Sequence, residues 1–534
     1  GRRRRHRHGL VSDEWTSKRL GELRRHPHLR RSSMLVLPPL MEETHGSIAS
    51  TYKKKCSPCR QDDNSQGGEG PTSCLNLPED IIRQIHGLMP LRDAARVAHI
   101  FLRSWRCHPN LTLSKESLGL NGTVVRNDEM TRDLVSKVDN ILKNHSGVGM
   151  KKLELQLMCC KKVDYCYLSN WLHIAVTAGI EELILLLPYG KVAYNFPCSP
   201  SGSENSIKYL QLAGCAFRPT AGLDCWRRLT KLWLIDVLIT GDELESLLSN
   251  SFTLEWLVLL HCSAIVCVKI PCQLQRLSFL RVGQCRKLQE IESNAPNIST
   301  FHFFGNLVKI SFGGALQPRD IQMNCSRQSN IFCYARTKLM PSVPNVEKLS
   351  ICSYNETINT PTLPGKFLHL KYLHISLIRD EAISPAYDYL SLVSFLVASP
   401  CLETFIFEVH QPDMKHDSII GDSSHLRQLP EHRHDNLKSV MIAGFCSAKS
   451  LVELTCEIVE NASSLASLTL DTTHGCYSSD GVSKPGICVP MGRGSLEEAQ
   501  RALVAIRTHI EGIIPSTVKL NVSEPCSWCH AIEH

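Results

Sequence analysis

One spacing of apolar positions dominates the chain: an apolar residue, then Leu or a similar side chain three places on, then another after one intervening residue. It occurs at Met150/Leu153/Leu155, Ile180/Leu183/Leu185, Ile207/Leu210/Leu212, Leu229/Leu232/Leu234, Leu254/Leu257/Leu259 and Leu277/Leu280/Val282. It continues at Ile298/Phe301/Phe303, Val346/Leu349/Ile351, Leu370/Leu373/Ile375, Leu402/Phe405/Phe407, Leu437/Val440/Ile442 and Leu465/Leu468/Leu470. The first starting residues are 30, 27, 22, 25, 23 and 21 positions apart, close to the 20–29 residues of a leucine-rich repeat. Later spacings of 48, 24, 32, 35 and 28 mark degeneration and insertions, and Leu307/Ile310/Phe312 and Ile321/Met323 read as irregular strands inside the longest gap. In each unit the alternating pair belongs to a short strand with both side chains on one face. Stacked units pair those strands in parallel and bury a continuous core.

Other elements fit around this array. Asn127, followed by Asp128 and Glu129, starts a helix carried by Met130, Leu134, Val138, Ile141 and Leu142, with Lys143 near its end and Gly147 as a stop. Asp242 to Leu248 reads as a helix on the convex side. Cys215, Cys262 and Cys285 fall where a leucine-rich repeat places Asn or Cys in the turn after its strand, which makes them structural. From Leu437 to Asp471 the pattern is strand, turn at Gly444, helix with Leu451, Leu454, Ile458 and Ala462 on its apolar face, and strand. Ser495 and Glu498 have capping-box spacing ahead of a helix with Leu496, Ala499, Leu503, Ile506 and Ile510 in its stripe. Val518, Leu520 and Val522 alternate as a last strand, and this pair closes the open end of the array. Asp413 to His434, with His416, His425, His432 and His434, and Thr473 to Pro490 read as exposed insertions.

Ahead of the array, Leu77 to Trp105 forms a separate unit. Pro78 suits the first position of a helix; Glu79 and Asp80 complement its positive end. Ile81, Ile85 and Leu88 lie at i, i+4 and i+7, flanked by Ile82 and Met89, and Pro90 breaks the helix. About thirty residues bury no core of their own, so the module needs a partner surface. The signature Leu77-Pro78, Ile81/Ile82/Ile85, Leu88-Met89-Pro90, Arg92-Asp93-Ala94-Ala95, Arg103-Ser104-Trp105 and Cys107-His108-Pro109-Asn110-Leu111 resembles an F-box. It differs in being about three residues shorter between Arg96 and Phe101, close to one helical turn. With the repeats and the 437–471 segment, the whole is similar to the plant F-box proteins that carry leucine-rich repeats and an FBD segment.

The resemblance implies an α/β fold: N-terminal F-box helices, then a leucine-rich-repeat solenoid with parallel strands on the concave face and helices and loops on the convex face. The expected organisation is a basic tail (1–73), the F-box (74–112), a linker and capping helix (113–149), repeats (150–430), an FBD-like segment continuing the array (431–475), and a loop with a C-terminal cap (476–534). It implies a substrate-recognition subunit of an SCF-type cullin E3 ubiquitin ligase, docked on the Skp-type adaptor through Leu77, Pro78, Ile81, Ile82, Ile85, Leu88, Met89 and Leu91, with the repeats holding an unknown target protein. The alternative is a repeat scaffold with a degenerate F-box, acting outside the ligase.

Composition narrows the rest. Across 534 residues, 43% are hydrophobic and 21% charged, as in a folded chain. The net charge of +7 misleads: residues 1–60, with Arg2, Arg3, Arg4, Arg5 and Arg7, carry +10, which leaves −3 for the remainder. Nucleic acid is therefore not the expected partner, and the basic segment reads as a solvated tail. No apolar run reaches the roughly 20 residues of a membrane span, Trp256 to Val268 being the best candidate. The chain lacks an initial Met, and no apolar stretch of a signal peptide follows its Arg run. The 24 Cys read as reduced thiols of a cytoplasmic or nuclear protein. Cys56-x-x-Cys59 and Cys526-x-x-Cys529-His530 are lone half-sites, short of the four ligands zinc takes. No phosphate loop, nucleophile elbow or HExxH pair occurs, so the expectation is no enzyme, no catalytic residue, no cofactor and no metal.

Overall fold

Leu257 stands opposite Leu280, and Leu280 opposite Phe301, on neighbouring parallel strands, and all three side chains are fully buried. That register repeats through the chain. The structure is a computed structural model that describes residues 79–89, Asp93 and, from 108 to 525, all but 121–126, 148, 161, 178, 189–193, 198–205, 220–225, 314–317, 326–327, 355, 379–386, 411–415, 422–424, 428, 431 and 474–490.

The strands are β1 (Asn110–Leu113), β2 (Lys152–Gln156), β3 (Glu182–Leu186), β4 (Tyr194–Phe196), β5 (Tyr209–Ala213), β6 (Cys215–Phe217), β7 (Lys231–Ile235), β8 (Trp256–Leu260), β9 (Cys267–Ile270) and β10 (Phe279–Gly283). They continue as β11 (Glu290–Ser293), β12 (Thr300–Phe304), β13 (Lys309–Phe312), β14 (Asp320–Cys325), β15 (Lys348–Tyr354), β16 (Tyr372–Ile378), β17 (Thr404–His410), β18 (Ser439–Ala443), β19 (Ser467–Asp471) and β20 (Lys519–Ser523). Fifteen of them form one sheet in the order β1-β2-β3-β5-β7-β8-β10-β12-β14-β15-β16-β17-β18-β19-β20. All its pairs are parallel. Each apolar-x-x-Leu-x-Leu unit supplies one of these strands, as the spacing requires, and the inward pairs form one continuous core.

A turn ends each strand of the regular repeats. The residue after the strand has positive φ at Gly214 (70°), Asp236 (51°), His261 (57°), Gln284 (55°) and Gly305 (138°). Its N–H reaches the last carbonyl of the next strand: Asp236 N to Leu260 O (2.8 Å), His261 N to Gly283 O (2.9 Å). The left-handed conformation costs a non-glycine residue about 1–2 kcal/mol, offset by a hydrogen bond that carries the ladder one step further. At Gly214 a Cβ would lie 2.7 Å from the Leu187 carbonyl oxygen, so glycine is required there. Cys262 follows one such turn. It is buried, and its thiol donates to Leu234 O at 3.5 Å; Cys285 sits likewise 3.9 Å from Leu259 O. Both are ladder residues, as their spacing implied.

Several expectations need correction. The sheet begins before Met150: Asn110–Leu113, within the stretch that resembles an F-box, pairs with Lys152–Leu155. In the connections between the large sheet's strands, β9, β11 and β13 add a second parallel sheet to the expected helices and loops. As expected, both irregular stretches are strands: Ile310 and Phe312 lie in β13 of that sheet, and Ile321 and Met323 in β14 of the large one. In the connections that follow β8 and β10, Val268, Ile270 and Ile291 seal the core from extended backbone.

Among the described residues, the α-helices of four or more residues are α1 (Glu79–Leu88), α2 (Asn127–Asn144), α3 (Tyr165–Thr177), α4 (Gly241–Ser249), α5 (Ile331–Tyr334), α6 (Val393–Ala398), α7 (Lys449–Asn461) and α8 (Arg493–Ala505). Thr240 caps α4 with a reciprocal box: its hydroxyl takes Glu243 N–H (3.2 Å) and its own N–H reaches Glu243 Oε2 (2.7 Å). The box expected at Ser495/Glu498 is absent. α8 starts at Arg493 after Gly492, with no side-chain cap, because Glu498 is drawn into the interior. α7 follows the turn at Gly444 (φ 72°). Besides its expected apolar face it buries Glu453, Thr455, Cys456 and Glu457, since it packs against both the 389–392 turn and the 506–513 turns. Among the described residues no helix is long and apolar enough to cross a membrane.

Candidate functional site

Two surfaces carry the residues of interest. The first is α1. Its sequence puts acidic residues in the first turn and Ile81, Ile85 and Leu88 one helical step apart. These three are 36%, 38% and 87% exposed, so the apolar stripe is not buried in the repeats. Met89 is half-buried. Leu77, Pro78 and Leu91, and the side chain of Ile82, lie outside the described residues, as do the basic tail and both Cys-x-x-Cys stretches.

The C-terminal end of α1 is tied to the first strand. The His108 Nε2–H donates to Met89 O (3.2 Å), and its Nδ1 accepts Asn110 N–H (3.2 Å). Asn110 Nδ2 donates to Gly87 O at 3.3 Å. Carbonyls at the helix end, which lack intrahelical donors, are thus satisfied by the residues that open β1. Behind them His145 Nε2 donates to His108 O (3.0 Å) and its Nδ1 accepts Gly147 N–H (3.0 Å). Burial holds the His145 pKa down, which keeps the ring neutral as that hydrogen-bond pattern requires.

The second surface is the open face of the large sheet, made by the residues between the inward leucines. Register sets neighbouring columns about 4.8 Å apart. Lys231, Trp256 and Phe279 are opposite one another on β7, β8 and β10. The Trp256 and Phe279 rings stack 4.3 Å apart, Phe279 meets His302 edge-on at 5.1 Å, and Lys231 Nζ lies 5.9 Å from the Trp256 ring. Arg281 places its guanidinium 4.7 Å from the Phe304 ring, a cation–π contact. Burial lowers the pKa of both His302 and Arg281. Towards β3 the same face turns apolar: Ile184, Leu186, Ala213 and Ile235 form their own cluster, with Tyr209, Trp233 and Leu260 against it.

Beyond β12 the open face is polar. Asp320, Lys348, Leu349, Ser350 and Tyr372 line a hollow of about 260 Å³. Ser350 Oγ lies 3.2 Å from His374 Nδ1, and His374 Nε2 lies 3.3 Å from a Glu408 oxygen, with His410 at 3.9 Å. His374 and then His410 hold the Glu408 carboxyl well below its usual range. The row resembles a nucleophile–base–acid relay in composition. His374 Nε2 makes no aligned hydrogen bond to Glu408. The face offers stacking and apolar burial at one end, charge and hydrogen bonds at the other.

The described part of the 413–434 segment is exposed at Asp417, Ile420, Gly421, Arg427, Pro430 and Arg433, as its polarity implied, but not all of its histidines are. His425 is exposed, but the His416 side chain is 2% exposed against Glu498, and His434 is buried with its ring 4.9 Å from His432. Burial and then His432 push the His434 pKa down to about 4. Sequence spacing missed this because the partners, Ser447, Asn461 and Glu498, lie elsewhere in the chain. It also named no open-face residue, although aligning the units on their leucines brings Trp256 and Phe279 opposite one another.

These features define a leucine-rich-repeat protein. The chain belongs to the At1g61320/AtMIF1 leucine-rich-repeat domain family, whose model matches residues 141–527. The F-box/FBD/LRR-repeat protein At1g13570 of Arabidopsis thaliana is 24% identical over 349 residues, covering 63% of this chain and 76% of the relative. With the family match, it bears out the resemblance to plant F-box and leucine-rich-repeat proteins. A solved internalin of Listeria monocytogenes aligns at 15% identity over 64% of this chain and 84% of its own, with a TM-score of 0.21, too low to bear on the fold.

Proposed function

We propose that this chain is a substrate-recognition subunit of an SCF-type cullin E3 ubiquitin ligase, working in the cytoplasm or nucleus. The F-box docks on the Skp-type adaptor and through it on cullin, and the open face of the repeats holds a target protein. The observation that carries the reading is the exposed stripe Ile81, Ile85 and Leu88 on a helix fastened to the first strand of the array. A single apolar stripe left to solvent on a short helix is a binding surface in want of a groove. The name of the Arabidopsis relative supports the assignment. The receptor makes and breaks no bonds itself. It holds the target beside the ubiquitin-charged enzyme, which raises the effective concentration of the reacting groups.

Capture of the purified chain on immobilised Skp-type adaptor tests the reading. Wild-type protein binds, and Leu88→Glu does not. Failure of wild-type protein to bind leaves the second reading, a repeat scaffold outside the ligase, which the three-residue shortening between Arg96 and Phe101 favours.

A further inference from the structure

His416, Cys446 and Glu498 come from three segments: the 413–434 insertion, the turn after β18, and the first half of α8. Their donor atoms, a ring nitrogen, the thiol sulfur and a carboxylate oxygen, all lie within 4.8 Å of one another. His416 Nε2 is 3.1 Å from Glu498 Oε1, and both side chains are 2% exposed. Cys446 is fully buried. Three ligands around one Zn²⁺, at bond lengths of about 2.0–2.3 Å, stand roughly 3.3–3.8 Å apart, so small side-chain shifts suffice to close this set on an ion.

We propose that His416, Cys446 and Glu498 bind a divalent transition-metal ion, with zinc the best match, as a clip that fastens the insertion and the C-terminal helix to the array. The nitrogen, sulfur and oxygen donors suit a borderline-soft ion and exclude calcium and magnesium, which take oxygen cages. His416 Nδ1 is buried with no hydrogen-bond partner, an expensive state for a ring nitrogen; ligation through Nδ1 removes that cost, whereas Nε2 already meets Glu498 and the Ser447 hydroxyl (3.3 Å). The surroundings have the form of an outer shell. Arg501 donates to Glu498 Oε2 from Nε (2.8 Å) and Nη2 (2.7 Å), and Ser447 N donates to Glu498 Oε1 (2.6 Å). Such partners fix a carboxylate ligand.

The backbone is already arranged for it. Ile419 N bonds Ser447 O (2.8 Å), Lys449 N bonds Asp417 O (3.0 Å), and the Ser418 and Ser447 hydroxyls are 2.7 Å apart. The ligands therefore sit on segments held in place by other bonds. A water fills the fourth coordination position, and binding releases the thiol proton to solvent.

Cobalt titration of the full-length protein under reducing conditions tests this, because only a thiolate ligand adds an intense near-ultraviolet charge-transfer band to the visible bands of tetrahedral cobalt. With other Cys in the chain, the comparison with Cys446→Ser decides. Wild-type protein is expected to bind one more ion than Cys446→Ser, to lose that ion's bands in the variant, and to gain several degrees in Tm with equimolar zinc. Arg501→Met is expected to weaken zinc about tenfold. Circular dichroism establishes that each variant folds; where Cys446→Ser does not, His416→Gln is judged by the same ion count. Equal stoichiometry and unchanged bands in wild type and a folded ligand variant overturn the proposal.

Discussion

Trp256 and Phe279 stack at 4.3 Å because β8 and β10 run parallel in register, placing the first residue of one repeat strand against the first of the next. Neither belongs to the core, and both are half-buried on the open face. Stacked aromatics on a scaffold are the residues that dominate binding energy when covered. In Trp256→Ala/Phe279→Ala the fold loses only the stack, about 0.5–1.5 kcal/mol, together with part of its buried area. Proximity labelling in cells is expected to show wild-type adaptor labelling and at least tenfold weaker labelling of target proteins.

The exposed stripe of α1 gives a second test. Ile85→Asp puts a charge where adaptor docking needs an apolar side chain. Because Ile85 is 38% exposed, the change is expected to cost about 1–2 kcal/mol of stability while adaptor capture is lost. Paired measurement of Tm and capture separates docking from folding; a large fall in Tm with capture retained would contradict the assignment.

Arg427 joins two elements. Its Nε donates to Glu453 Oε2 (2.8 Å) on α7, and Nη1 to Asp388 (2.8 Å) ahead of the 389–392 turn. The Glu453 side chain is fully buried while Arg427 is half exposed. Arg427→Met strands a buried carboxylate and is expected to cost about 1–3 kcal/mol in denaturant unfolding. Arg427→Lys recovers only part of it, since an ammonium lacks the planar fork that reaches both acids.

Glu356 makes stability depend on pH. Burial pushes its carboxyl up to about 7, against hydrogen bonds from the Ser353 hydroxyl (2.6 Å) and Phe332 N (3.0 Å). The folded state therefore holds this proton more tightly than the unfolded chain. The stabilising contribution is complete below the ordinary value of 4.5 and is lost as pH rises to about 7, a span of about 3 kcal/mol. Glu356→Gln keeps an acceptor for both donors. It is expected to gain on wild type by about 1–3 kcal/mol between pH 5 and pH 8 in urea unfolding; parallel profiles would refute the assignment.

The sequence by itself determined the repeat. Inward leucines two apart with a period near 24 leave parallel stacking as the way to bury them, and every expected unit produced its strand. It determined the stripe of α1 as well, because helical spacing is local. Tertiary structure decided where local spacing had rivals or partners came from afar. The connections after β8, β10 and β12 became strands, which pair with one another in a second parallel sheet across successive repeats. Glu498 left its helix cap for the interior because His416 and Ser447, 82 and 51 residues away, offered it donors there. A periodic core repeats one short-range rule, whereas a buried polar cluster exists only once distant segments have met.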